Sequence, residues 1–389
     1  MRLRVATSTP LSRRVVQNER VASNESSQTG SIFDLKRPLE VRRDAVVNLF
    51  DFLVRGGIAD TTRTPSEIID AGRTRELHRY NRVKGVRAKG LPLLFIPPLG
   101  SQAACFDLRR GLSLAEDFVN RGRPTYLVDY GPLKGDDRKV GIEHFVNDVI
   151  ADAIRKTSDD TGGRPVHILG WSLGGIMALT TAAVHSELPI QTVTMVGSPF
   201  DFSKNPTLAP VRAIGKYTGG RIIGTGMKVM GSIPAPLVSI GFKATSLPTY
   251  LKKPRTLWTR RNDREFLEQI QAVDKIMNNM LAYPGRATLQ AYHRMALRNE
   301  LAAGHFDGPN VHVDFANVRI PVMNVAGTTD VLAPIPAVQH VGSILPNSPD
   351  IRLPLSPGGH LGILTGTRAP ETTWVEINQF LADYDRRRS

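Results

Sequence analysis

The segment "RPVHILGWSLGGIMALTTAAV" (164–184) leaves the chain few ways to fold. Residues 166–170, "VHILG", form a short, mainly apolar run of the kind buried on both faces of a sheet. A glycine-flanked serine follows at once, and then a run of helix formers from Leu173 onward. A strand that enters a helix through so tight a turn is half of a βα unit. Chained βα units make a parallel sheet covered by helices on both faces.

The same alternation recurs on both sides of this segment. "LPLLFIP" (91–97), "PTYLVDY" (124–130) and "IQTVTMVGS" (190–198) read as buried strands, and "HFVNDVIADAIRKT" (144–157) reads as an amphipathic helix. From about residue 62 the spacing predicts alternating strands and helices. It breaks off over 203–300, where helical stretches such as "DREFLEQIQAVDKIMNNML" (263–281) alternate with Gly/Pro-rich loops. It resumes at "IPVMNVAG" (320–327), "PAVQHVGSIL" (336–345), "DIRLPL" (350–355) and "WVEINQFLADYD" (374–385). The expected organisation is a basic N-terminal segment at 1–61, an α/β core at 62–202 and 301–389, and a helical cap or lid inserted at 203–300. Within the first segment, 1–33 reads as disordered and "DAVVNLFDFLV" (44–54) as a helix on the core, with membrane contact the alternative.

Composition narrows the class. With 41% hydrophobic and 22% charged residues and no apolar run long enough to span a bilayer, the chain reads as globular. The N-terminal arginines lack the apolar stretch of a secretory signal. The single cysteine, Cys105, excludes an internal disulfide and a cysteine-based zinc site. We expect a cytoplasmic protein without metal or cofactor, peripheral attachment to a lipid or membrane surface being left open. The net charge of +14 is uneven: residues 203–300 hold sixteen Lys/Arg against five Asp/Glu. No nucleic-acid-binding motif accompanies this excess, so nucleic acid is not an expected partner. The basic residues share their segment with "GMKVMGSIPAPLVSIGF". That pairing suits an anionic amphiphile, such as a lipid surface or an acyl carrier bearing phosphate; simple solubilisation is the alternative.

In an open parallel sheet, ligands bind beyond the carboxyl ends of the strands. Ser172 falls there. Gly170 and Gly174, at −2 and +2, suit a sharp elbow that exposes a serine nucleophile, and Gly175 permits close helix packing. The competing reading is a structural turn that needs its glycines. A serine needs a base. His360, in "SPGGHLG", and Asp330, ending "VMNVAGTTD", both follow strands downstream, in the order Ser, Asp, His. A loop histidine and an N-capping aspartate are the plainer alternatives. His340 and His305 lack this placement, and Asp129 reads as a turn residue. Two backbone N–H groups would complete the site: Leu173, and Leu99 or Gly100 in the "PPLGSQ" loop.

Several stretches resemble, in order, the catalytic subunits of polyhydroxyalkanoate synthases, members of the α/β-hydrolase superfamily. They are "TPSEIIDAGRTRELHRY" (64–80), "LLFIPPLGSQAACFDL" (93–108), "YLVDYG" (126–131), "HILGWSLGG" (167–175), "TMVGSPFDF" (194–202), "YPGRATLQAYHRMALRNELAAG" (283–304), "GTTDVLAP" (327–334) and "SPGGHLGILTG" (356–366). The resemblance implies an α/β-hydrolase fold with a helical cap, and the catalytic positions Ser172, Asp330 and His360. Those synthases carry cysteine where this chain has Ser172, and an asparagine-containing segment where it has "GSQAACF". Cys105, in that loop, is not expected to substitute. The expected function is therefore a serine acyl hydrolase acting on an ester or thioester of a lipid-like or hydroxyacyl group. The alternatives are an acyltransferase using acyl-CoA and a non-catalytic lipid-surface binding protein. A homodimer is left open.

Overall fold

The computed structural model describes residues 57–385 apart from 73, 133–136, 138, 246 and 310, and apart from the side chains of 244–252. The calls on 1–33 and 44–54 lie outside the described residues.

Continuous apolar runs become the central strands, since each must bury both faces. β3 (Leu93–Ile96), β4 (Thr125–Asp129), β5 (Val166–Trp171), β6 (Ile190–Val196) and β11 (Val322–Gly327) pair in parallel, in the order β4-β3-β5-β6-β11. β12 (Ile351–Arg352) and β13 (Leu355–Ser356) each extend β11 for two residues. "DIRLPL" is thus two short pieces rather than one strand; Pro354, which lacks an N–H, lies between them.

The alternation expected from residue 62 gives way to a hairpin. β1 (Ser66–Gly72) and β2 (Arg75–Tyr80) are antiparallel, and β2 pairs antiparallel with β4 at the edge of the sheet. A second hairpin, β9 (His305–Gly308) with β10 (Val311–Asp314), precedes β11.

Successive side chains of a strand face opposite ways. Leu94 and Ile96 enter one core layer with Ile176 and Leu179, while Leu93 and Phe95 enter the other with Phe118, Phe380 and Leu381. The first layer lies under α2 (Ala151–Asp160) and α3 (Leu173–Val184). The second lies under α1 (Leu114–Asn120) and α11 (Thr373–Asp385). The chain leaves β3 for β4 on one side and returns past it to β5 on the other. The order of strands therefore reverses beside β3, and a crevice opens at the carboxyl ends of β3 and β5.

Between β6 and β11 the chain is mainly helical: α4 (Ala209–Thr218), α5 (Arg221–Met230), α6 (Ala235–Thr245), α7 (Leu247–Thr259), α8 (Arg264–Asn278) and α9 (Gly285–Gln290). A two-residue ribbon, β7 (Ser232–Ile233) with β8 (Tyr283–Pro284), joins the turn after α5 to the segment before α9. "PAVQHVGSIL" is α10 (Ile335–Gln339) followed by a 3-10 turn. Among the described residues, no helix is long and apolar enough to cross a membrane, and no cluster of His, Cys, Asp and Glu could hold a metal ion.

Candidate active site

β5 is buried along its whole length and passes into α3 through Ser172, whose φ of 53° and ψ of −123° lie where side chains are rarely found. The neighbours hold it there. Its N–H donates to the Val196 carbonyl at 2.9 Å, and its own carbonyl accepts from Ser198 Oγ at 2.7 Å. The flanking glycines are sterically required. A Cβ on Gly170 would sit 2.5 Å from Gly175, and one on Gly174 would sit 2.3 Å from the Ile96 carbonyl. The close packing of β3, β5 and α3 thus turns Ser172 out into the crevice.

Asp330 and His360 arrive on two loops joined by backbone hydrogen bonds: Thr328 N–H to Ser356 O at 2.9 Å and Thr329 N–H to Gly358 O at 3.1 Å. Asp330 Oδ1 accepts from the N–H groups of Leu332 and Ala333 at 2.9 and 2.8 Å. Its Oδ2 lies 2.7 Å from His360 Nδ1, and the side chain is completely buried. His360 Nε2 lies 2.9 Å from Ser172 Oγ. The carboxylate can only accept, so Nδ1 carries the proton and Nε2 accepts from the hydroxyl. The structure thus joins Ser172, His360 and Asp330 in one chain of hydrogen bonds. Such a chain can take the serine proton and return it to a leaving group.

Two further residues shape the surroundings of this chain and were not foreseen. Trp171 donates from its indole to the His360 carbonyl at 3.1 Å, with ring centroids 5.3 Å apart. It sits beside the serine in sequence, but nothing local reveals its partner. Tyr283, far along the chain, covers Gly100 so closely that a Cβ there would fall 2.0 Å from its ring. Leu281 N–H donates to the Gly100 carbonyl at 2.7 Å. Gly100 has a φ of 81° and Leu99 is buried. Leu173 begins α3, so its N–H has no partner within the helix.

The remaining candidates lie elsewhere. Asp129 accepts from Gly131 N–H at 2.9 Å, as a turn residue does. His340 bonds the Ala302 carbonyl, and His305 pairs with Asp307. Cys105 is buried in a 3-10 turn, and burial pushes its thiol well above the ordinary range, leaving it an unreactive thiol.

An apolar groove of about 330 Å³ lies in the helical block. Ile233, Leu237, Val238 and Phe242 line one part of it. It also reaches Tyr283, over Gly100, and Leu332, two residues past Asp330. A second cleft, by Arg79 and Arg123 at the amino end of β4, lies at the opposite end of the sheet; both arginines are paired there with carboxylates.

Residues 92–367 match the family model described as the alpha/beta hydrolase fold. The chain belongs to that family. Among curated relatives, the poly(3-hydroxyalkanoate) polymerase subunit PhaC of Allochromatium vinosum is 24% identical over 368 residues, covering 88% of this chain and 99% of its own. That of Haloarcula marismortui is 21% identical over 331 residues, covering 83% and 69%. Among solved structures, a soluble variant of monoglyceride lipase from Saccharomyces cerevisiae superposes with a TM-score of 0.52 at 17% identity, covering 84% of this chain and 97% of its own. At that identity the likeness is one of fold. In this α/β hydrolase, Ser172 stands at the carboxyl end of β5, beside β3.

Proposed function

We propose that this α/β hydrolase takes an acyl group from an ester or thioester onto Ser172 and passes it to an alcohol. The observation that carries the reading is the hydrogen-bonded chain of Ser172, His360 and Asp330 at a strained strand-to-helix turn. In the first step Oγ bonds the acyl carbon as the bond to the leaving alkoxide or thiolate breaks. His360 Nε2 takes the hydroxyl proton and gives it to the leaving group. In the second step His360 removes the proton of an acceptor alcohol, whose oxygen takes the acyl carbon and releases Ser172. Asp330 holds the imidazole and stabilises its charged form. The N–H groups of Leu173 and of Leu99 or Gly100 would stabilise the oxyanion.

Transfer rather than hydrolysis is supported by the relatives, which are named polymerases of hydroxyacyl groups. The apolar groove suits the acyl chain, its volume being that of an ordinary small-ligand site (roughly 300–1,000 Å³). Hydrolysis is the second reading, favoured by the hydroxyl at position 172: an oxygen ester is a lower-energy intermediate than the thioester a cysteine forms. We further propose that residues 203–300 act as a lid. Its joints are glycines with positive φ: Gly219 and Gly220 between α4 and α5, and Gly231 after α5.

The test is incubation of the pure protein with acyl-CoA and acyl-ester series, with and without an alcohol acceptor, and identification of products by mass. Acyl-alcohol product supports transfer, and free acid alone supports hydrolysis. No turnover, together with no labelling of Ser172 by a fluorophosphonate, would leave a non-catalytic protein.

A further inference from the structure

Helices α4 and α5 pack against each other on the helical block, and they are oriented the opposite way to ordinary surface helices. A surface helix normally buries its large apolar residues and exposes its small or polar ones. Here the residues buried are glycines. Gly215 lies against Tyr292, and Gly224 against His293, so closely that a Cβ would fall 2.6 Å from the Tyr292 hydroxyl oxygen and 2.9 Å from His293 Nε2. Large apolar residues face outward instead: Tyr217 is 94% exposed, Val229 82% and Ile222 66%. Of thirteen exposed large hydrophobics among the described residues, eight fall between 214 and 258, so the exposure is concentrated rather than scattered.

The charge on the same stretch has one sign. Between Asp201 and Asp263 there is no carboxylate, while eleven Lys and Arg lie there. On α5, Ile222 and Val229 are seven residues apart and share one stripe, and Arg221 and Lys228 form a parallel stripe beside it. Lys216 on α4 is likewise exposed, and none of these three cations has an ion pair among the described residues. Other lysines of the block are engaged: Lys253 with Asp274 and Lys243 with Asn278. The apolar groove opens on this block, with half-exposed Leu237 on its wall.

We propose that the outer face of α4 and α5 docks on an anionic phospholipid surface. The basic stripe lies against the headgroups and the apolar stripe enters the acyl boundary, the arrangement of an interfacial helix. A purely electrostatic partner such as nucleic acid would leave Tyr217, Ile222 and Val229 without a role. Docking does not depend on the acyl chemistry of Ser172. It would bring the mouth of the groove to the surface where amphiphiles reside.

The test uses the full chain and sedimentation with vesicles of phosphatidylcholine, with and without phosphatidylglycerol, at low and high salt. Binding should require phosphatidylglycerol and weaken with salt. Reversing charge at the three exposed cations (K216E, R221E and K228E together) should lower vesicle affinity by roughly tenfold or more. Replacing the apolar stripe (Y217S, I222S and V229S together) should lower it similarly, and should abolish the blue shift of tryptophan fluorescence expected from half-exposed Trp258. Labelling of Ser172 by a short soluble fluorophosphonate should be unchanged in both variants. That readout reports the fold and the serine; its failure in the unaltered chain would count against the acyl reading alone. The docking proposal is overturned by any of four results: no binding to anionic vesicles at low salt, equal binding to neutral ones, tight DNA binding indifferent to the apolar substitutions, or a solution dimer abolished by those substitutions in a chain that ignores vesicles.

Discussion

Ser172 shows how a single residue stores the cost of its position. Its backbone lies in a region that costs a side-chain-bearing residue about 1–3 kcal/mol and costs glycine little. Two replacements should therefore separate chemistry from fold. Both S172A and S172G should lose turnover by roughly 10⁴-fold or more, since each removes the attacking oxygen. In urea titrations, however, S172G should be about 1 kcal/mol more stable than S172A, because only glycine escapes the strain. Equal stability of the two would mean that the elbow is relaxed. Ser172 and Asp330 were legible in sequence because each follows a strand, β5 or β11, that is itself legible; His360 follows the two-residue β13 and was legible from its glycine-rich loop and its place in the order Ser, Asp, His. Tyr283 and Trp171 were not. Their partners, Gly100 and the His360 carbonyl, are set by where distant loops meet, and sequence spacing carries no record of that.

Among elements, the central strands were readable because a strand buried on both faces is mostly apolar, and these runs are short and bounded by Gly and Pro. The edge hairpin β1–β2 was not. β1 is mostly exposed, charged residues recur in both strands, and cross-strand pairs such as Arg79 with Glu67 resemble a solvated loop when read along the chain. β9–β10 is too short to stand out, although Val311–Asp314 alternates buried and exposed residues. The helical block was visible as a break in the pattern, yet its contacts, such as Lys253 with Asp274 and Lys243 with Asn278, were not. The elbow element makes a sharp prediction. G174A should place a methyl against the Ile96 carbonyl and Pro97, costing about 1–3 kcal/mol and reducing activity by disturbing the loop that begins there. Within the block, Gly241 lines the groove and has open space around its missing Cβ. G241F should therefore fold, with α6 stabilised by up to about 1 kcal/mol. It should also lower kcat/KM for long-chain relative to short-chain substrates by roughly tenfold. An unchanged ratio would place the acyl chain elsewhere.

At the scale of the whole molecule, the end of α11 reaches back to the start of the sheet. Asp385 accepts from Arg123 and from Leu91 N–H and meets fully buried His167, whose other nitrogen bonds Thr192. Burial holds His167 below the ordinary histidine value of 6.5. Asp385, despite the opposing effect of its own burial, is held below 3.8 by His167 and Arg123. In both cases the unfolded chain takes up the proton first as pH falls, so stability is complete above 6.5 and is lost in acid. Urea titrations should show a first decline below about pH 6.5 and a steeper one below about 4. Burial also holds His293 below 6.5, so H167Q should lessen the first decline without abolishing it and leave the second; if it leaves the first unchanged, His167 is not the sensor. The clamp of Leu281 and Tyr283 on Gly100 has a different consequence, for recombination. Grafting the helical block of one relative onto the sheet of another would separate the loop after β3 from the two residues that shape it. Chimeras whose crossover divides them should yield folded but impaired proteins, while exchanges that carry loop and clamp together should preserve turnover. Natural recombination within the family would be expected to respect the same boundary, so that the block and the loop are inherited as one module despite standing far apart along the chain.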